Sequence, residues 1–480
     1  MGRRPFLALA TGALVSVLVA VVSALAAAVV DGGATGARPS PPASPPASSA
    51  RPDTPAREPM GTARPEPAPV LDADFADPEV VKAGGTYYGY ATNGGGKNVP
   101  VATAPAPAGP WTRTGGDALP ALPGWADPGR TWAPDVSARA DGSYLLYFTA
   151  ARKGTDDQCI GAAVAATPAG PFRPGPDPLV CQDGKDVIDP AAFVDADGTR
   201  YVLYKREGGG RKAPGGLFLH RTTPDGTKAT GSPTQILAKG DDEPSLIEAP
   251  ALVKQGGRYV LFYAAGVFYS PQYQTRYATS ASITGPYTKA PRPLLSTEGY
   301  GERVTGPGGA DIVHDGTDSF LVFHGITRFR GGEHVERAMY VAPVGWAGGT
   351  PVVRGSPVRY EAENGRVYGA RVLRDVPGTS GNAVVGYLDN AQCLIDLDVF
   401  APVAGEYEVR VRYANRTGGN APAEHTLTVD GSAPVAVHYA PDPSAKWRDV
   451  TVQVVLPAGW SVLRLAYGVG FAEVDHVDVA

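Results

Sequence analysis

Beyond its first four positions the chain has no run or stripe of basic residues. Its formal net charge is −5, from 43 Lys and Arg against 48 Asp and Glu. That balance argues against a polyanionic partner such as nucleic acid. Cysteine is scarce: Cys159, Cys181 and Cys393 are the whole set, with no CxxC and no Cys/His ligand spacing, so no zinc site is expected. Cys159 and Cys181 lie 22 positions apart and are able to bridge in an oxidising compartment, which would leave Cys393 alone. No long amphipathic helix pattern separates the apolar runs, which disfavours an α/β fold.

What is plentiful points to an all-β protein. Turn formers abound, with 61 Gly and 47 Pro, and 22 Tyr recur in short aromatic strands. The length of 480 residues leaves room for two or three domains. Arg3 and Arg4 precede an uncharged apolar run from Phe6 to Val30, with small residues at Ala24-Leu25-Ala26. Residues 1–30 therefore read as a secretory signal peptide or, if uncleaved, as a membrane anchor. Residues 31–69 are a Pro/Ala/Ser-rich linker that cannot bury enough apolar surface to fold. A secreted or membrane-anchored monomer is expected.

The central part repeats. Five segments resemble one another: Ala76-Asp77-Pro78-Glu79-Val80, Trp132-Ala133-Pro134-Asp135-Val136, Ile188-Asp189-Pro190-Ala191-Ala192, Glu248-Ala249-Pro250-Ala251-Leu252 and Gly308-Gly309-Ala310-Asp311-Ile312. Each leads into a Gly turn and an aromatic strand. The turn glycines Gly85, Gly142, Gly198, Gly257 and Gly316 are spaced by 57, 56, 59 and 59. A second marker, Ala108-Gly109-Pro110-Trp111, Ala169-Gly170-Pro171-Phe172 and Thr284-Gly285-Pro286-Tyr287, keeps the same period. Such a period, with about four short strands per copy, is that of a propeller blade. Residues 70–352 are expected to form a five-bladed β-propeller.

In a propeller the innermost strands line the axis, so Asp77, Asp189 and Glu248, read as register-equivalent, should converge on one mouth of the funnel. Like charges held together push at least one pKa up and leave another group ionised, a separation that suits acid/base chemistry. Asp-Pro is also a common turn dipeptide, so neither Asp alone is decisive. Glu248 stands inside an apolar stretch, where an acid without a task is costly.

The set Phe75-Ala76-Asp77-Pro78, Thr131-Trp132-Ala133-Pro134-Asp135, Val187-Ile188-Asp189-Pro190 and Ile247-Glu248-Ala249-Pro250, in order and at blade spacing, resembles glycoside hydrolase family 43. The resemblance implies hydrolysis of arabinofuranosides or xylosides with inversion. It makes Asp77 the general base, Glu248 the general acid, and Asp189 the residue that raises the acid's pKa and orients it. An inverting pair should stand roughly 6.5–9.5 Å apart to admit the water. The resemblance places Arg337 at the pocket. Trp132, just ahead of a blade-two strand, is a candidate sugar platform, and Phe268 a candidate rim residue. Where many members have Gly-Pro-Gly-His in blade five, this chain has Gly306-Pro307-Gly308-Gly309, which leaves a calcium ion at the axis in doubt; His324 is the nearest substitute. No cofactor is expected for catalysis itself.

From about Arg359 the texture changes to short strands of alternating polarity, as in Tyr407-Glu408-Val409-Arg410-Val411-Arg412-Tyr413. Residues 358–480 are expected to form a β-sandwich of jelly-roll type. This unit resembles carbohydrate-binding modules of family 6 or 35. That resemblance implies a structural calcium ion held by Glu361, Glu363 and Asp475, and stacking of sugar on Tyr387 and Trp447. The implied partner is a plant cell-wall polysaccharide or oligosaccharide, and the leading function a secreted glycosidase releasing arabinose or xylose. A β-xylosidase, a non-catalytic sugar-binding propeller and a retaining, invertase-like fructosidase are the alternatives.

Overall fold

The architecture follows from the repeat, as the computed structural model of the chain shows. It describes residues 67–208, 215–418 and 420–480; the segment read as signal peptide or anchor, and nearly all of the linker, lie outside them. Each copy of the repeat is a four-stranded antiparallel sheet whose strands follow chain order. The innermost strands are Glu79–Ala83, Ala126–Ala138, Val187–Val194, Ile247–Gln255 and Thr305–Asp315. The second strands are Thr86–Tyr90, Tyr144–Arg152, Arg200–Arg206, Arg258–Ala265 and Asp318–Gly331. Among the described residues the helical turns are two short 3₁₀ segments, Ala362–Asn364 and Ser380–Asn382.

The alternation of apolar and small residues on the second and third strands gives every blade two greasy faces, and each face is buried on the next blade. Leu145, Tyr147 and Ile160 of blade two meet Val202, Tyr204 and Phe218 of blade three. Phe75, Tyr87 and Trp111 of blade one meet Val322 and Met339 of blade five, which closes the ring. Full burial of each such side chain stabilises by about 1.5–3 kcal/mol. Backbone hydrogen bonds also close the ring: the chain ahead of blade one runs along blade five, where the Val70 N–H donates to the Met339 carbonyl (2.8 Å) and the Phe75 N–H to the Arg337 carbonyl (2.7 Å).

The sandwich packs two sheets. One contains Arg371–Arg374, Ala383–Gly386, Ala472–Val479, Gly405–Asn415 and Arg448–Leu456, with Val358–Glu361 beside Ala472–Val479. The other contains Arg366–Tyr368, Leu394–Ala401, Gly459–Val469, Ala423–Val429 and Val435–Tyr439. Their inward residues, among them Val409, Val411, Leu463, Leu465 and Val477, form one core. Cys159 and Cys181 are joined in a disulfide, and Cys393 is free and buried in the sandwich.

Candidate active site

One backbone feature recurs at the mouth of the ring. Asp77, Ala133, Asp189, Ala249 and Gly309 all take a positive φ, between 42° and 58°. These positions are 56, 56, 60 and 60 apart, the repeat itself. Strand pairing slips at this point in blades two to five, so the bend is a repeated bulge. A left-handed residue other than Gly costs about 1–2 kcal/mol. The cost is offset by a bond across the ring: the bent N–H is capped by the preceding blade. Asp77 N–H donates to His324 Nδ1 (3.1 Å), Ala133 N–H to Thr92 Oγ1 (3.0 Å), Asp189 N–H to Thr149 Oγ1 (3.0 Å) and Ala249 N–H to Asp189 Oδ2 (3.0 Å).

The bend corrects the register read from sequence. Asp77 and Asp189 occupy the bent position, but Glu248 precedes it by one, level with Ala76, Trp132, Ile188 and Gly308. The one-residue offset gives Glu248 a different direction and different partners. Trp132, expected ahead of a strand, lies inside the innermost strand of blade two at this same level and is half-buried. Two residues beyond the bend comes a deeper tier of Glu79, Asp135, Ala191, Ala251 and Asp311. These residues line a channel cavity of about 50 Å³, room for a water or two. Burial raises all three acids of that tier, Asp135 to about 7 and Asp311 to about 6, with the neighbouring acids adding to it for Glu79 and Asp135.

The three upper acids differ sharply in environment. Burial would push Asp77 up, but the Arg337 guanidinium (Nη1 to Oδ1, 2.9 Å), the His324 ring (Nδ1 to Oδ1, 3.3 Å) and the Thr92 hydroxyl (2.5 Å to Oδ2) outweigh it and hold Asp77 well below the usual carboxylate range. Arg337 is in turn stacked on Phe268, 4.7 Å from the ring centroid, so both of these predicted residues reach the site. Asp189 forms no ion pair among the described residues, and Lys205, which pairs with Glu248, lowers it only in part. Burial first, then the charges of Glu248 and Asp77, raise it to about 8. Glu248 accepts from Lys205 Nζ at Oε2 (3.1 Å) and from the Tyr273 hydroxyl at Oε1 (2.9 Å).

Lys205 and Tyr273 were not found from sequence. The signal for Lys205 was present, since a lysine directly follows the apolar run Tyr201-Val202-Leu203-Tyr204; it lies at 5% exposure inside the strand Arg200–Arg206. Tyr273 carries no such signal; it reaches Glu248 from a loop that follows the second strand of blade four.

The missing Gly-Pro-Gly-His also finds its explanation. A Cβ on Gly309 would lie 2.8 Å from the His324 ring and 3.1 Å from Asp77 Oδ1, so the His324 imidazole fills the space that Gly309 leaves. His324 is fully buried and stacked parallel on Tyr273, with centroids 5.7 Å apart. Burial lowers its pKa, so it is neutral. Its Nδ1 lies 3.1 Å from the Asp77 amide nitrogen and 3.3 Å from Asp77 Oδ1, while its Nε2 has no partner among the described residues. A buried water fits beside that unpartnered nitrogen.

In the sandwich, Glu361, Asp475 and His476 bring ligand atoms within 4.8 Å of one another. His476 was not foreseen. Glu363, which was, stands by Gly381, where a Cβ would come 2.5 Å from its Oε1, and one oxygen each of Glu361 and Glu363 is buried without a partner. Carboxylates with unsatisfied oxygens suit a hard cation such as calcium. Tyr387, 45% exposed, packs against Phe471 (6.1 Å) and under Arg371 (5.0 Å). Trp447 lies under Arg416 (5.6 Å), whose N–H donates to the Phe471 carbonyl. The two predicted stacking residues thus share one end of the sandwich, far in sequence and linked through Phe471.

Residues 67–351 match the model of glycosyl hydrolases family 43. The chain belongs to glycosyl hydrolases family 43. Residues 358–480 match the carbohydrate binding module (family 35), which selects between the two module families considered above. Xylosidase/arabinosidase 43A of Humicola insolens is 30% identical over 191 residues, which cover 32% of this chain and 55% of that one. Extracellular endo-alpha-(1->5)-L-arabinanase 2 of Bacillus subtilis (strain 168) is 28% identical over 296 residues, 50% of this chain and 59% of that one. The chain thus spans little more than half the length of these two relatives. A thermostable family-43 glycoside hydrolase of known structure aligns with a TM-score of 0.53 at 25% identity, over 59% of this chain and 93% of that one. The alpha-L-arabinofuranosidase from Lactobacillus brevis shares the fold, with a TM-score of 0.51 at 19% identity over 59% of this chain and 94% of that one.

Proposed function

We propose that this family 43 chain is an inverting glycosidase that releases arabinose, or xylose, from plant-wall arabinan, arabinoxylan or their oligosaccharides. The observation that carries the reading is an electrical asymmetry within one ring. Asp77 is held ionised by Arg337, while Asp189, raised to about 8, shares a buried site with Glu248, so that pair retains a proton at neutral pH. Asp77 takes a proton from water, whose oxygen attacks the anomeric carbon. The bond to the leaving oxygen breaks, its electron pair stays on that oxygen, and Glu248 protonates it. Asp189 keeps the proton within the pair.

Arabinose leads xylose because one of the two relatives is named an arabinanase and the other a xylosidase/arabinosidase. The C-terminal module holds the wall polysaccharide on Tyr387, Phe471 and Trp447, with a calcium ion at Glu361, Glu363, Asp475 and His476 supporting its fold. The extracellular Bacillus relative supports secretion; among the described residues no helix is long and apolar enough to cross a membrane. The test is proton NMR of the first anomer released from arabino-oligosaccharides, together with Glu248→Gln. Retention of configuration, or full activity of Glu248→Gln on oligosaccharides, overturns the assignment.

A further inference from the structure

A five-fold repeat supplies its own controls, and at one level two of the five residues are out of kind, an alanine and a charged lysine. Opposite the residue before each bend, the second strands or the residues just past them present Thr92, Thr149, Lys205, Ala264 and His324. Thr92, Thr149 and His324 each accept the bent N–H of the next blade. A charged lysine has no lone pair with which to do so. In blade three that duty has passed to Asp189, which caps Ala249, and Lys205 is free to reach Glu248. Its side chain is 6% exposed, with Nζ 3.1 Å from Glu248 Oε2 and 2.7 Å from Glu207 Oε1.

The two donors on Glu248 are not equivalent. An ammonium group only donates, and a carboxyl's carbonyl oxygen accepts far better than its hydroxyl oxygen, so the oxygen facing Lys205 is favoured as the unprotonated one. A tyrosine hydroxyl donates or accepts. When Glu248 carries a proton, that proton therefore sits on Oε1, and the Tyr273 O–H turns to accept it. We propose that Lys205 is a positioning residue for the general acid: it holds Oε2 as the unprotonated oxygen, makes Oε1 the oxygen that gives its proton to the leaving group, and stabilises the carboxylate that results. The inference rests on Glu248 being the acid. In the step, the Oε1 proton passes to the departing oxygen as that oxygen takes the electron pair of the broken bond, and the new negative charge meets a cation already in place.

The groups that face this pair are few. Lys205 meets Glu248, Glu207, Asp189 and, at longer range, Asp186. Burial would lower its pKa, but Glu248 and Glu207 outweigh burial and raise it, so Lys205 stays charged across the working range. Glu248 meets Lys205, Tyr273 and Asp189, and Tyr273 lies in the field of Asp77 and Arg337.

The experiment uses the full chain as Lys205→Met, Lys205→Arg, Glu207→Gln and Glu248→Gln. Each is assayed on an arabino-oligosaccharide and on a dinitrophenyl arabinofuranoside, whose leaving group needs no protonation. Lys205→Met should raise the basic limb of kcat/KM by about one pH unit. It should also lose about tenfold more activity on the oligosaccharide than on the aryl glycoside. Lys205→Arg should restore both. Glu207→Gln, a half-exposed site that folding tolerates, frees more of the lysine's charge and should move the limb the other way. A basic limb unmoved in both Lys205→Met and Glu207→Gln, or equal losses on the two substrates, overturns the proposal. If Glu248→Gln loses only the oligosaccharide activity, the acid assignment stands whatever Lys205 does; if it loses neither, both fall. Should a variant turn over neither substrate, carbon-13 titration of the Glu248 carboxyl, assigned by its absence in Glu248→Gln, reads the same shift. An unchanged midpoint in Lys205→Met is then the overturning result.

Discussion

Replacing Arg337 with Met removes the cation 2.9 Å from Asp77 Oδ1 and leaves a side chain of similar reach. The two side chains are 11% and 20% exposed, so solvent screens the pair little. Charge centres about 4 Å apart at an effective dielectric of about 20 attract by about 4 kcal/mol. Water entering the vacated space returns roughly half of that, leaving about 2 kcal/mol, or about 1.5 pKa units. Burial, which already pushes Asp77 up, is then opposed by His324 and Thr92 alone. Because the base acts ionised, a higher pKa brings the acid limb of kcat/KM to higher pH by about 1.5 units. Stability has a matching signature. A depressed carboxylate stabilises the fold above its unfolded pKa of about 4 and loses that contribution as pH falls through the folded value. The Tm gap between parent and Arg337→Met should be full and constant from neutral pH down to about pH 4, and should close only in stronger acid, as pH falls through the folded Asp77 values of the variant and then of the parent. The pH profile on an aryl arabinofuranoside and a Tm series answer both points. An acid limb that stays in place, or a Tm gap undiminished in acid, refutes the assignment of Arg337 as the group that keeps Asp77 ionised.

Three further outcomes are expected. Gly309→Ala, at φ +58° with His324 and Asp77 against the new Cβ, should cost about 2–3 kcal/mol by urea unfolding and lower kcat, whereas Gly316→Ala, at φ +62° with open space around it, should cost about 1 kcal/mol and spare kcat. Asp189→Asn can still accept the Ala249 N–H but no longer holds a charge or proton beside Glu248, so kcat should fall about 10²-fold or more with Tm nearly unchanged; parent-like kcat would refute its role. Calcium added to chelator-treated protein at about 100 times its Kd should stabilise the C-terminal module by about 2.7 kcal/mol, a rise of several degrees in its melting, and Glu361→Gln should abolish the rise.

Much of the site was legible because the repeat is legible. A period of 56 to 60 residues marks the blades, and acids at recurring positions mark the axis. The offset of Glu248 by one residue was not seen, since a bulge changes direction without changing composition. His324 for the missing blade-five histidine was guessed only as a neighbour. That an imidazole from the next strand fills the space above Gly309 follows from atoms that approach within 3 Å, and nothing local in the chain encodes it. The same holds for His476 beside Glu361 and Asp475, residues more than a hundred positions apart joined by one strand pairing.

The linear order of this chain determined a five-bladed ring, a separate sandwich, and the residue types available for acid/base chemistry, because strand periodicity and turn chemistry act over a few neighbours at a time. Only the tertiary structure decided which acid is ionised and which pair retains a proton. Those properties depend on the cation that a neighbouring blade brings within about 3 Å, Arg337 for Asp77 and Lys205 for Glu248, and on a hydroxyl that the acid's own blade folds back onto it, Thr92 for Asp77 and Tyr273 for Glu248. Electrostatic interaction falls off with distance in space and is blind to separation along the chain.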